Sequence, residues 1–437
     1  MFRKKVYILL LVVILTLPSS ISLSRDIQQL TLSDCISMAM ETNVSIIKAR
    51  DNIRVAEAGK RQSLSTFYPS IQFSSQYSRT NANTTFISGA GTVVSSPARQ
   101  SGLATFIIKQ RIFDSFRTWN NYKLSEAQLQ NAEYALKEAA KDLALAVARN
   151  YFQLSEAKHL VELTEVLLNQ ANKHFEQTNA NYQAGISPKS DIYSAQVNVT
   201  QAKVNLLEAQ NNLNIQKANL RKLIGLERSD LFEITDEKLE LNYKAELQEG
   251  INKALQDRPE LNEMMAQIEA QNRQIDLLTL NVMPQLTIDL GLNLDAYRDP
   301  SLSENAYTVS ANFTLPLFDG FSSKAKIDAA EANMNSLQAQ ERDMKRSISL
   351  EVETDYYKLE TAFAKIELTS QQVEEAKKNL DVSEGRYKVG VAPFQEVLDA
   401  QVTYNRSMVE LIASRYAYQI ALFTFKTAIE EELYEKI

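Results

Sequence analysis

Two histidines, one cysteine and scattered carboxylates are the residues with which this 437-residue chain could bind a metal or attack a substrate. His159 and His174 lie fifteen positions apart on one helical run. Two ligands on one helix face need a spacing of three or four, so both are expected at the surface rather than on a metal. No G-x-S-x-G, P-loop or H-E-x-x-H pattern occurs, and no catalytic, cofactor or metal residue is assigned; the chain is not expected to be an enzyme. Cys35 has no partner for an internal disulfide, and Asp34 before it does not suit a lipidation site, so a buried place on a helix face is expected.

The carboxylates are more informative because three of them recur around one kind of turn. "YQAGISPKSDIYSAQ" begins at Tyr182 and "YKVGVAPFQEVLDAQ" at Tyr387, an offset of 205. Asp191 follows Gly185 by six residues, and Glu396 and Asp399 follow Gly390 by six and nine. Acids in the first turn of a helix are favoured by its dipole, so capping alone accounts for such placement. Gly185 and Gly390 supply the backbone freedom of the turn.

The elements that carry these turns are duplicated too. At the same offset "IFDSF" at Ile112 falls on "LFDGF" at Leu317. Upstream the offset becomes 215, pairing Ala39 with Ala254 and Pro69 with Pro284. The difference lies in a Ser, Thr, Asn and Gly rich stretch, read as a longer loop in the first copy. Each copy runs through a helix, a Pro boundary, two extended segments, a Phe-Asp turn, a very long helix, the Gly turn and a returning helix. The domains are therefore a first repeat, 25–229, and a second, 230–437. Strands are expected near 70–80, 103–113, 285–297 and 305–317, and tips at 182–191 and 387–396.

The extended segments have period two. Leu286, Ile288, Leu290, Leu292 and Leu294 alternate with Thr287, Asp289, Gly291, Asn293 and Asp295, and Tyr307 to Leu315 repeats the pattern. Ile71, Phe73 and Tyr77, then Ala104, Phe106 and Ile108, form a rougher counterpart. A soluble sheet with one buried face would alternate likewise. A run of about 9 to 11 residues with a wet second face also fits a membrane-crossing strand. Four strands cannot close a barrel in lipid, so counting requires a trimer with twelve or a dimer with eight.

From Phe116 to about Asn181 there is neither Pro nor Gly, a rod of roughly 100 Å at 1.5 Å per residue. Phe321 to about Tyr387 makes a second. Leu143, Val147, Tyr151 and Leu154, then Leu160, Leu163 and Leu167, place an apolar stripe along the first. The returning helices, Asp191 to Leu223 and Glu396 to about Ile429, supply antiparallel coiled-coil partners, with the Gly turns as tips.

Composition agrees with long elements: 11 Gly and 9 Pro are few, and 44% hydrophobic with 23% charged residues is ordinary for an ordered protein. A net charge of −7 without a basic cluster beyond the N-terminus excludes a nucleic-acid binder. Arg3, Lys4 and Lys5 before the apolar run Val6 to Leu17 form a secretory signal, 1–24, with the mature chain starting near Arg25. Two functions fit these features: an export duct, or a structural or adhesive coiled-coil protein of the envelope.

The duplicated order, the opening "LTLSDCISMAMETN", the strand exits at Phe113 and Phe318 and the two Y-x-x-G-x-x-x-x-x-[DE] tips together resemble the outer-membrane efflux protein family, the TolC-like channel tunnels, over essentially the whole mature chain. The resemblance implies a homotrimer with a twelve-stranded β-barrel in outer-membrane lipid. It also implies a coiled-coil α-barrel through the periplasm, whose tips meet a periplasmic adaptor and an inner-membrane pump of an efflux or type I secretion system. It places Asp191, Tyr387, Glu396 and Asp399 at the periplasmic mouth, with Glu396 and Asp399 as the acidic ring. An Arg expected two residues after the second Gly is replaced by Ala392.

Overall fold

A computed structural model describes residues 28–80, 84–87, 93–96, 99–236, 243–244, 246–295 and 306–431. The expected signal segment lies outside them. In chain order the elements are β1 (Gln28–Leu30), α1 (Leu32–Thr42), α2 (Val44–Ser65), β2 (Ser70–Thr80), β3 (Thr84–Ile87), β4 (Val93–Ser96), β5 (Arg99–Phe113), α3 (Arg117–Gln183) and α4 (Lys189–Leu223). The second copy continues with β6 (Phe232–Ile234), α5 (Leu247–Asp257), α6 (Pro259–Leu280), β7 (Gln285–Asp295), β8 (Ala306–Thr314), α7 (Ser322–Lys388) and α8 (Phe394–Ala428).

The duplication holds to the residue in the helices. Both long helices, α3 and α7, have 67 residues, and both returning helices, α4 and α8, have 35. At the upstream offset α1 matches α5 with 11 residues each, and α2 matches α6 with 22. Ala39 and Ala254, paired by that offset, are both wholly buried. The described residues form two compact units that do not follow the repeats: residues up to 39 with 149–236, and 40–148 with those from 243 onward.

In the first unit β1 and β6 pair in parallel, Gln28 opposite Phe232. Tyr151, fully buried on α3, closes this pair by donating its hydroxyl to the Thr235 carbonyl at 2.5 Å. Of the expected stripe, Tyr151, Leu154 and Leu163 are buried in this unit and Leu160 and Leu167 half-buried, while Leu143 and Val147 are buried in the second. Cys35 lies fully buried in α1.

In the second unit β2, β5, β7 and β8 make an antiparallel sheet in that order. Ile71, Ile108, Leu290 and Val309 lie side by side across it, as do Phe73, Phe106, Leu292 and Tyr307. On the other face Gln72, Ile107, Gly291 and Thr308 form one row, and Ser70, Lys109, Asp289 and Ser310 another. The Asn312 amide donates to Asp289 at 2.9 Å there. The face expected to be apolar is therefore apolar in all four strands, and it is open: Ile71 is 71% exposed and Phe313 66%. The helical core of this unit gathers Val352 and Leu359 of α7, Tyr418, Leu422 and Phe425 of α8, and Ala254 of α5.

Strand becomes helix through the same device in both copies. Asp114 accepts the Thr118 N–H at 2.8 Å, and Asp319 accepts the Ser323 N–H at 2.8 Å. Two successive residues before each long helix are left-handed, Ser115 and Phe116 at φ 54° and 68°, Gly320 and Phe321 at φ 67° and 66°. The repeated Phe-Asp motif is thus a helix-entry elbow, and its Asp satisfies an amide that the helix leaves unpaired.

Candidate functional site

Both Gly turns end a 67-residue helix in the left-handed region, Gly185 at φ 77° and Gly390 at φ 76°. The amide after each Gly reaches five residues back along the turn: Ile186 to the Asn181 carbonyl at 2.9 Å, and Val391 to the Arg386 carbonyl at 2.9 Å. This 6→1 bond is a Schellman closure, which needs the positive φ that Gly adopts without strain. No heavy atom lies within 4 Å of where a Cβ would stand at either Gly, so backbone conformation alone demands glycine. Pro188 and Pro393, extended and without an N–H, then start the returning helices.

In the first turn Asp191 occupies the opening turn of α4, and its carboxylate accepts from Ser190 Oγ at 3.4 Å. In the second turn the Tyr387 and Phe394 rings meet at 5.3 Å between centroids, and Ala392, Phe394 and Val397 are buried. No side chain caps α8. Glu396 instead reaches across the turn to Arg386 at 3.0 Å, and Asp399, one turn further on and exposed, accepts from the Gln395 amide at 2.9 Å. The second hairpin thus assembles Tyr387, Glu396 and Asp399 within two helical turns. The two histidines are half-buried rather than at the surface, because the coiled-coil stripe of α3 is wide; His159 Nδ1 lies 2.9 Å from the Ser155 carbonyl of its own helix.

Sequence reasoning missed Arg386. Its signal is a symmetry: Arg386 and Glu396 stand five residues either side of Val391, opposite charges facing across a hairpin. A buried ionic cluster was missed as well. Arg258, 3% exposed between α5 and α6, donates to Glu351 at 2.7 Å and to the Ala428 carbonyl at 2.8 Å. Buried Lys141 of α3 pairs with Glu260 and with Glu430. Burial alone would lower the Arg258 pKa, but Glu351 raises it further. Burial raises those of Asp142 and Glu430.

Nearby Glu138 is pushed up to about 7, by burial first and then by its hydrogen bond to Glu263. Its folded value lies above the ordinary 4.5, so the folded state holds a proton that the unfolded chain has lost. Stability therefore falls as pH rises from about 4.5 towards 7. Glu138→Gln is expected to flatten much of this slope and to stabilise the protein above pH 7 by about 1–3 kcal/mol. Thermal unfolding at pH 5 and 7.5 checks it: the difference in Tm shrinks in the variant.

Comparison with known proteins gives the chain its class. The outer membrane protein VceC from Vibrio cholerae superposes with a TM-score of 0.80 at 19% identity, over 91% of this chain and 95% of that one. The open state of the Neisseria gonorrhoeae MtrE outer membrane channel does so with a TM-score of 0.76 at 18% identity, over 93% and 90%. The fold is that of these outer-membrane channels. In sequence, outer membrane protein TolC of Salmonella enteritidis is 24% identical over 344 residues, 75% of this chain and 68% of that protein. The family model for outer membrane efflux protein matches residues 35–226 and 250–429. The chain belongs to that family; its place is the outer membrane and its activity is efflux.

Proposed function

We propose that three copies of the chain join edge to edge into a barrel of twelve strands, three times the four of the β2-β5-β7-β8 sheet, with the apolar face towards lipid. The observation that carries this is the apolar face, whose Ile71–Ile108–Leu290–Val309 and Phe73–Phe106–Leu292–Tyr307 rows cross all four strands, together with the two edges, β2 and β8, that lack a second neighbour among the described residues. Unpaired edge amides and carbonyls cannot persist in hydrocarbon, so another copy must supply the missing neighbours. The repeats 25–229 and 230–437 each contribute two wall strands and one long hairpin. The hairpins continue the duct through the periplasm as a coiled-coil α-barrel, and the tips dock on a periplasmic adaptor and an inner-membrane pump. Export is passive, and no residue has a catalytic role.

At the mouth Asp191, Tyr387, Glu396 and Asp399 are the gate residues, three copies of each around a narrow opening. Carboxylates concentrated there favour cations and bind polyvalent cations as blockers. The purified protein is expected to be a trimer by light scattering in detergent and to conduct ions in a planar bilayer. A stable monomer with intact strand content, or a trimer without conductance, removes the proposal.

A further inference from the structure

We infer that Arg386 sets the charge of the mouth by holding Glu396 inside its own hairpin, so that Asp399 alone carries the cation-attracting charge of the second tip. The inference rests on the gate reading above and deepens it. Arg386 lies in the last turn of α7 and Glu396 in the first turn of α8. Each charge therefore sits at the helix end whose dipole favours it, and the two meet at 3.0 Å. The distance between the limbs is set beneath them by the Tyr387–Phe394 ring contact and by buried Ala392, Phe394 and Val397. The pair spans the turn between these two limbs, the Arg386 side chain about half exposed and that of Glu396 a third.

The remaining charges of this tip are already assigned. Lys388 lies 3.9 Å from Glu384, one turn back on its own helix. Asp399, whose carboxylate hydrogen-bonds to an amide, has no ion pair among the described residues. The position equivalent to Arg386 in the first repeat is Asn181, which has no charge to offer Asp191. One tip therefore carries a clasp that the other lacks, and the clasp spans one hairpin rather than two chains. It also stands one residue before Tyr387, on the opposite side of Gly390 from Ala392.

A carboxylate bonded to a guanidinium is a poor ligand for a trivalent cation, and one released from it is a good ligand. The test is block of bilayer currents by lanthanum(III), measured for Arg386→Gln, Glu396→Gln, the double variant and Asp399→Asn. Arg386→Gln is expected to tighten block about tenfold by freeing three carboxylates. Glu396→Gln should undo that gain in the Arg386→Gln background, and by itself weaken block by less, through the repulsion of the three guanidinium charges it frees, and Asp399→Asn should weaken block in every background. Equal effects of Glu396→Gln in both backgrounds, or an unchanged block in Arg386→Gln while Asp399→Asn still weakens it, overturns the clasp and leaves the gate standing. If none of the four alters block, the gate reading itself fails and the clasp with it.

Discussion

Leu290→Arg is expected to prevent the chain from assembling in the outer membrane, whereas Asn293→Arg, three residues along the same strand, assembles and changes only conduction. Leu290 lies between Ile108 on β5 and Val309 on β8, with Ile71 beyond on β2, so its row is apolar across all four strands. An Arg on the lipid face near the bilayer midplane costs about 2 to 4 kcal/mol, and a trimer would meet that cost three times. Asn293 stands in the opposite row, where Thr105 donates to its side chain at 3.0 Å. An Arg there keeps its water and adds positive charge to the lumen. Outer-membrane fractionation and trimer recovery separate the two variants, with single-channel recording of the second. Equal recovery of both would mean that the apolar row does not face lipid.

The second large effect is expected from Arg258→Ala. The guanidinium occupies a place with 3% exposure, where it satisfies both the Ala428 carbonyl at the end of α8 and the Glu351 carboxylate of α7. Truncation strands the carbonyl and leaves the acidic groups around Lys141 with one cation fewer. Removing one partner of a fully buried pair costs 3–5 kcal/mol. Glu351 still reaches water, so a loss of about 3 kcal/mol is expected here. Arg258→Lys should recover part of it, keeping the charge but not the forked pair of donors. Thermal unfolding in detergent reads both variants; an alanine variant as stable as wild type would show that the cluster contributes nothing to the fold.

Much of this fold was legible because its signals are local and occur twice. Helix ends at Gln183 and Lys388 follow from glycines that must take positive φ, and the 205-residue offset places one end from the other. The strand faces were clear in β7, where every even position is apolar from Leu286 to Leu294. They were rougher in β5 for a physical reason. Ile107 lies in the polar row and Gln110 in the apolar one, and a bulge between Arg111 and Phe113 shifts the phase. The β1–β6 pair was not legible, since three residues bind three others some two hundred positions away with no turn to mark them. The tip acids could be named from their spacing after glycine. Their partners could not, because Arg386 meets Glu396 only once the hairpin has closed. The Arg258 cluster likewise joins four helices and has no periodic trace.

The two helix-entry elbows share a backbone but are secured differently, and this bears on the order of events during insertion. Ser115 holds its left-handed conformation while its hydroxyl donates to the Pro284 carbonyl at 2.8 Å, just before β7, the neighbour of β5. Gly320 takes the equivalent conformation with open space around it, and it follows β8, the strand at the sheet's edge. The inner elbow can lock as soon as a single chain has folded, because everything it binds is already present. The outer elbow is held by Asp319 to its own helix, and its Gly320 has no side chain to strain at positive φ. A serine thus secures the elbow beside the inner pair β5 and β7, and a glycine stands at the elbow beside β8, one of the two edges at which the proposed joining of copies would take place.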